Sequence, residues 1–146
     1  MIHKPELVKH HELTEKIIGV FYDTYNELGY GFLESVYKAA MLIGLRKAGL
    51  HAEPEVPVTV WFQGESAGEF RADILVENKI LLELKAARSI DLAFEKQILN
   101  YLRATELEVG LLFNFGPKAE FRRYAFENEN KKIRVYPRAS AAKGAN

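Results

Sequence analysis

Apolar residues recur along this chain with two periods, and the switches between them divide it into elements. From residue 12 to 28 the spacing of Leu13, Ile17, Val20, Phe21 and Leu28 predicts a helix, stopped by Gly29. A second helix is predicted from about Leu33 to Ala48, with Val36, Ala40 and Ile43 facing inward, Met41 as a further candidate, and Gly49 closing it. Strict alternation follows at Val56, Val58, Val60 and Phe62. That is a strand, and Pro54 and Pro57 place it at a sheet edge because proline cannot donate to a ladder. Gln63-Gly64-Glu65-Ser66 reads as a turn, with strands from Glu69 to Val76 and from Lys79 to Lys85 beyond it. Ser89 is a candidate cap for a third helix reaching Ala104, with Phe94, Ile98 and Leu102 on its buried stripe. Val109–Phe115 is a buried strand. Residues 121–126 and 132–136 form an expected closing hairpin around Asn128-Glu129-Asn130. The order α-α-β-β-β-α-β-β-β describes an α/β sheet whose single helical crossover favours a parallel pair in an otherwise antiparallel sheet.

Chemistry enters where polar residues interrupt the apolar runs. Asp73-Ile74-Leu75-Val76 and Ile80-Leu81-Leu82-Glu83-Leu84-Lys85 flank the polar turn Glu77-Asn78-Lys79. Centring the turn on Asn78 pairs residues whose numbers sum to 156, so Asp73 faces Glu83. Alternation then puts Lys85 on the same face. Two carboxylates sharing an apolar patch repel unless a cation lies between them, and oxygen ligands suit Mg²⁺ or Mn²⁺. A strand-edge salt bridge is the alternative. Glu-x-Lys occurs three times, and Glu77/Lys79 and Glu129/Lys131 sit in polar segments where a solvated pair suffices.

Composition narrows the classes. At 146 residues the chain has room for one domain with a real core, and 48% hydrophobic content is that of a globular protein. The expected domain spans residues 1–137, with a small, polar tail at 138–146 expected to be disordered. With no cysteines there is no disulfide, thiol nucleophile or cysteine-held metal cluster. No apolar run is long enough for a membrane helix and no signal-peptide pattern opens the chain, so a cytoplasmic setting is expected. His3, His10, His11 and His51 lack metal-site spacing, and Trp61 reads as packing.

Net charge is zero, which is unlike a dedicated nucleic-acid binder. The distribution is uneven, with eight Lys/Arg against three Glu after Val109, a net of +5. Lys118, Arg122, Arg123, Lys131, Lys132, Arg134 and Arg138 are therefore candidates for a basic rim, or else for solvated faces of a terminal hairpin.

Helix, three strands, helix, strand, with Asp73 on the second strand and Glu83-Leu84-Lys85 on the third, resembles the core of the PD-(D/E)xK nuclease superfamily. Gly31-Phe32-Leu33-Glu34-Ser35-Val36-Tyr37 resembles the signature of its small bacterial GxxExxY branch. Gln97-Ile98-Leu99-Asn100-Tyr101 is similar to the Gln-x-x-x-Tyr element of RecB-type nucleases. The resemblance covers about residues 12–137. It implies a restriction-endonuclease-like core (α-β-β-β-α-β), a mixed sheet flanked by helices, with an extra N-terminal helix and a C-terminal hairpin. It also implies a Mg²⁺- or Mn²⁺-dependent nuclease acting on phosphodiester bonds, in DNA first of all; the near-neutral charge adds the expectation of a homodimer or protein partner. Asp73, Glu83 and Lys85 would be catalytic. Glu34, Asp73, Glu83 and the Leu84 carbonyl would hold metal, and Gln97, Tyr101, Tyr37 and Gly31 would support the site. Ala72 departs from the proline frequent before the aspartate. Tyr37 and Tyr101 have a core alternative, with a satisfied hydroxyl. The competing class is a non-catalytic nucleic-acid- or protein-binding module that keeps the fold.

Overall fold

A computed structural model describes residues 9–131. Two helices, α1 (His11–Leu28) and α2 (Glu34–Lys47), precede β1 (Ala52–Phe62), β2 (Glu65–Val76) and β3 (Ile80–Lys85). Helix α3 (Leu92–Arg103) leads to β4 (Val109–Phe115), β5 (Ala119–Ala125) and a short 3-10 turn at Asn128–Asn130. The five strands lie side by side in chain order. All neighbours are antiparallel except β3 and β4, which α3 joins as a parallel pair. The fold is α/β, and β1 with its two prolines is an edge, as expected. Among the described residues, no helix is long and apolar enough to cross a membrane.

At its central strands β3 and β4 the sheet buries both faces. Ile80, Leu82 and Leu84 of β3 pack with Ile17, Phe21, Tyr37, Met41 and Leu45 of α1 and α2. Leu81 of β3 packs with Ile98 and Leu102 of α3 on the other side. The seven residues of β4 are all buried, and its outer edge is closed by β5 through the register Val109↔Ala125 to Phe115↔Ala119. The first arm of the expected terminal hairpin is β5, which begins at Ala119 and pairs with β4, covering the edge of a fully buried strand. Residues 132–136 lie outside the described residues.

Helix α2 is rotated from the expected phase. Tyr37, Met41 and Leu45 are buried, whereas Val36 and Ile43 are 38% and 57% exposed. Both sets have helical spacing, so packing decides between them. A Cβ on Gly44 would come 2.9 Å from Val20 of α1, so this glycine allows the two helices to approach closely. Tyr37 stacks on Phe115 with ring centroids 4.1 Å apart. Its hydroxyl donates to the Gly29 carbonyl at 2.6 Å and accepts from the Phe32 N–H at 3.1 Å. A large ring with a satisfied polar end outcompetes two aliphatic positions. At α3 the cap is Asp91, whose side chain accepts from Ala93 N–H at 2.8 Å, in place of Ser89.

Candidate active site at the seam between two strands

The β2–β3 hairpin has the expected register, with Ile74↔Leu82, Leu75↔Leu81 and Val76↔Ile80. Glu77 and Asn78 turn it with left-handed backbone, φ 54° and 55°. The ladder then stops one pair short of Asp73/Glu83. Ala72 joins the α3-side core although Ile74, two residues away, belongs to the α1–α2 side, so β2 kinks at Asp73. Across the pair on β1, Glu55 has φ 51°, a conformation foreign to a strand. The polar residues are what open the seam.

Side chains bridge the seam where backbone pairing ends. The Glu83 Oε2 accepts the Asp73 N–H at 3.0 Å, and the Asp73 Oδ2 accepts the Leu84 N–H at 2.8 Å. Glu83 is only 5% exposed. Burial and the neighbouring Asp73 charge push its pKa up to about 8, against the weaker opposing pull of the Asp73 N–H and of Lys85 and Lys38. A carboxyl in this state holds its proton at neutral pH unless further positive charge arrives.

On the α3 side, Lys85 Nζ donates to Gln97 Oε1 at 3.2 Å and lies 4.8 Å from the centre of the Phe94 ring. Gln97 also bonds Tyr101, whose hydroxyl is pushed above its usual pKa by burial and then by Glu83. The Tyr101 ring stacks on Phe70 of the kinked strand at 3.7 Å. Gln97 and Tyr101, one helical turn apart, therefore reach the same cluster as Lys85 and Glu83. Glu34 approaches from the α2 side, its Oε2 3.4 Å from the Ala86 N–H. Asp73 and Glu34 therefore accept from N–H groups two residues apart, one at the end of β3 and one just past it.

Gly31 and Tyr37 act one step back. Gly31 has φ 116°, open only to glycine, and Tyr37 ties down residues 29–32 just before Glu34. The core alternative thus describes Tyr37: its hydroxyl is committed to the loop, which places Glu34.

Two residues at the site escaped the sequence analysis. Lys38, one turn after Glu34, lies with Nζ 3.3 Å from Asp73 Oδ1 and also contacts Glu55. Burial alone would lower its pKa, but Glu55 and Asp73 outweigh this and raise it. The i, i+4 spacing from Glu34 was the available signal. Asn114, fully buried in apolar β4, accepts the Ala87 N–H at 2.9 Å and donates to the Ala87 carbonyl at 3.0 Å. It thereby holds the chain leaving Lys85, with which it is in register. A polar residue inside an apolar strand was its signal.

Glu83, Asp73 and the Leu84 carbonyl are hard oxygen donors, and the raised Glu83 pKa marks two acids that Lys38 and Lys85 offset only in part, so these residues fit a Mg²⁺-type ion. Among the described residues, no three acidic or histidine side chains gather tightly enough for an all-protein metal cage, and Glu34 does not complete one. Mg²⁺ characteristically uses one or two carboxylates and fills its remaining positions with water and phosphate oxygens.

The expected basic rim is dispersed. Lys131 donates to the Thr105 and Leu107 carbonyls at 2.8 and 2.6 Å, and burial lowers its pKa to about 8. Arg123 bonds Thr14 at 2.7 Å and Glu15 at 3.3 Å on α1. Leu111, opposite Arg123, packs on the α1–α2 side, while Leu112, opposite Arg122, packs on the α3 side, so the two arginines occupy opposite faces of the sheet. Lys118 and Arg122 are exposed; Lys132, Arg134 and Arg138 lie outside the described residues. Arg88, three residues beyond Lys85, is also exposed.

A family model described as the PD-(D/E)XK nuclease superfamily matches residues 11–124. The solved structure of SSO0001 is similar to the chain with a TM-score of 0.52 and 22% identity, over 96% of this chain and 66% of that one. This likeness is one of fold, and the chain spans just under two thirds of that protein's length. Among curated proteins, none matches. The chain belongs to the PD-(D/E)XK nuclease superfamily.

Proposed function

We propose that this chain hydrolyses phosphodiester bonds, with DNA as its substrate and Mg²⁺ or Mn²⁺ as its cofactor. The observation that carries this reading is Glu83, a buried carboxyl beside a second carboxyl, with its pKa at about 8 and an ammonium on the same strand. A structural salt bridge would leave such an acid ionised and compensated. A site that recruits a cation leaves it short of charge.

Asp73, Glu83 and the Leu84 carbonyl would hold the metal, with Glu34 reaching it directly or through water. When bound, the metal supplies positive charge at a non-bridging phosphate oxygen and makes a water more acidic. Glu83 releases its proton as the site charges. Lys85, aimed by Gln97 and Phe94, orients the attacking water and offsets charge building on the phosphate. Gln97 and Tyr101 keep Lys85 and Glu83 aligned. Arg88, exposed three residues past Lys85, would meet the nucleic-acid backbone.

The alternative, a binding module that keeps the fold without cleaving, is favoured by the neutral net charge and by the internal pairing of Arg123 and Lys131. A cleavage assay on labelled single- and double-stranded DNA and RNA with Mg²⁺ or Mn²⁺ decides between them. Metal-dependent cleavage lost in Asp73→Asn is expected. Lys85→Ala should retain Mn²⁺ binding yet fall on the order of 10²–10³ in rate. Binding without cleavage of any substrate would favour the module.

A further inference from the structure

The acid pair already has a cation, and it comes from the helix that carries Glu34. Asp73 offers two oxygens: Oδ2 is held by the Leu84 N–H, and Oδ1 lies 3.3 Å from Lys38 Nζ. Oδ1 is thus the oxygen free of backbone bonds and the more open one for an incoming ion, and it is the one that Lys38 contacts. The ammonium also touches Glu55, whose side chain is 49% exposed against 20% for Asp73. Lys38 thus spans an inner and an outer carboxylate. Its outer partner is held where the β1 backbone turns out of strand geometry, with Arg71 donating to the Glu55 carbonyl at 3.3 Å.

We propose that Lys38 is the resident counter-cation of the Asp73–Glu83 pair and yields Asp73 when a divalent cation binds, keeping its charge on Glu55. This rests on the metal-dependent reading above. An ammonium and a divalent ion cannot share one carboxylate oxygen at contact distance without strong repulsion. Removing the ammonium altogether would leave Asp73 without this ion-pair partner in the metal-free protein. A lysine with a second acceptor within reach satisfies both demands. It screens the acids when metal is absent, and it needs to swing only one way when metal arrives. Lys38 thereby sets the metal affinity of a site that it does not itself complete.

The test is calorimetric titration of the full chain with Mn²⁺, alongside thermal melts in chelator. Lys38→Met keeps the aliphatic stem and removes the charge. It should bind Mn²⁺ about tenfold more tightly, in the range of ordinary linkage between coupled sites, while melting lower without metal. Lys38→Arg keeps a cation and should stay near wild-type affinity. Glu55→Gln should weaken Mn²⁺ binding by removing the outer resting place, and that loss should shrink in the Lys38→Met background. Equal or weaker Mn²⁺ binding in Lys38→Met overturns the proposal, as does a Glu55→Gln effect of the same size in both backgrounds. If neither wild type nor Lys38→Met binds Mn²⁺, the metal-dependent reading falls and the proposal with it. Equal binding by both removes the Lys38 proposal alone.

Discussion

Replacing Glu83 with glutamine removes a proton-binding group while keeping an acceptor for the Asp73 N–H. In the folded chain this carboxyl titrates near pH 8, against an ordinary value of 4.5. Between those values the folded state holds a proton that the unfolded state has lost. Stability from this group is therefore full below about pH 4.5 and drains away as pH rises towards 8. For an isolated group with those two pKa values, the loss between pH 5 and pH 8 is roughly 3 kcal/mol. Glutamine has no such proton. Urea unfolding in chelator should show the stability of Glu83→Gln, measured relative to wild type, rising by about that amount across the interval. Comparing the two proteins at each pH cancels titrations elsewhere. Saturating Mn²⁺ should reverse the ordering at pH 8, because it stabilises only the chain that retains both carboxylates. A pH-independent difference between the two would refute the claim that burial and Asp73 hold Glu83 protonated.

Other outcomes follow from single contacts. Tyr37→Phe leaves the Phe32 N–H and Gly29 carbonyl without their partner and should cost about 1–2 kcal/mol in a calorimetric melt, with metal affinity falling as Glu34 loosens. Gly116→Ala would set a Cβ 2.2 Å from the Ala87 carbonyl, so urea unfolding should show a loss of about 2 kcal/mol or more. Arg88→Ala should flatten the salt dependence of DNA binding by about one counterion. Arg123→Ala, whose guanidinium is engaged with α1, should instead lower the melting temperature and leave the salt slope alone.

Much of this was legible in the sequence, for reasons that differ by element. The β2–β3 register followed from an apolar run on each side of a three-residue polar turn, since a slip by one residue would turn every side chain to the wrong face. The parallel β3–β4 pair followed from a helix between strands. The phase of α2 did not, because Val36/Ala40/Ile43 and Tyr37/Met41/Leu45 are equally helical. The choice lay in Gly44 and in partners for the Tyr37 hydroxyl, neither visible without the neighbouring loop. The pairing of β5 with β4 was not legible for a related reason: the need to close the buried edge of β4 is a property of the assembled sheet. At the site, the meeting of Asp73, Glu83 and Lys85 with Gln97 was foreseen. Lys38 was not, because nothing in the order of residues announces that a kink at Asp73 opens its carboxylate to α2.

That kink has an evolutionary corollary. Where the main chains of β2 and β3 part, two side-chain carboxylates complete the seam, each receiving one backbone N–H from the opposite strand. The same atoms that invite a cation also stitch the middle of the sheet. A lineage that gave up cleavage could not discard them cheaply, since losing either would strand a backbone donor in the interior. Such a lineage would shed Lys85 or Gln97 first, because these support no strand pairing. In such a lineage an acid pair without its lysine would record sheet architecture alone, and the acid pair together with Lys85 is the marker of chemistry.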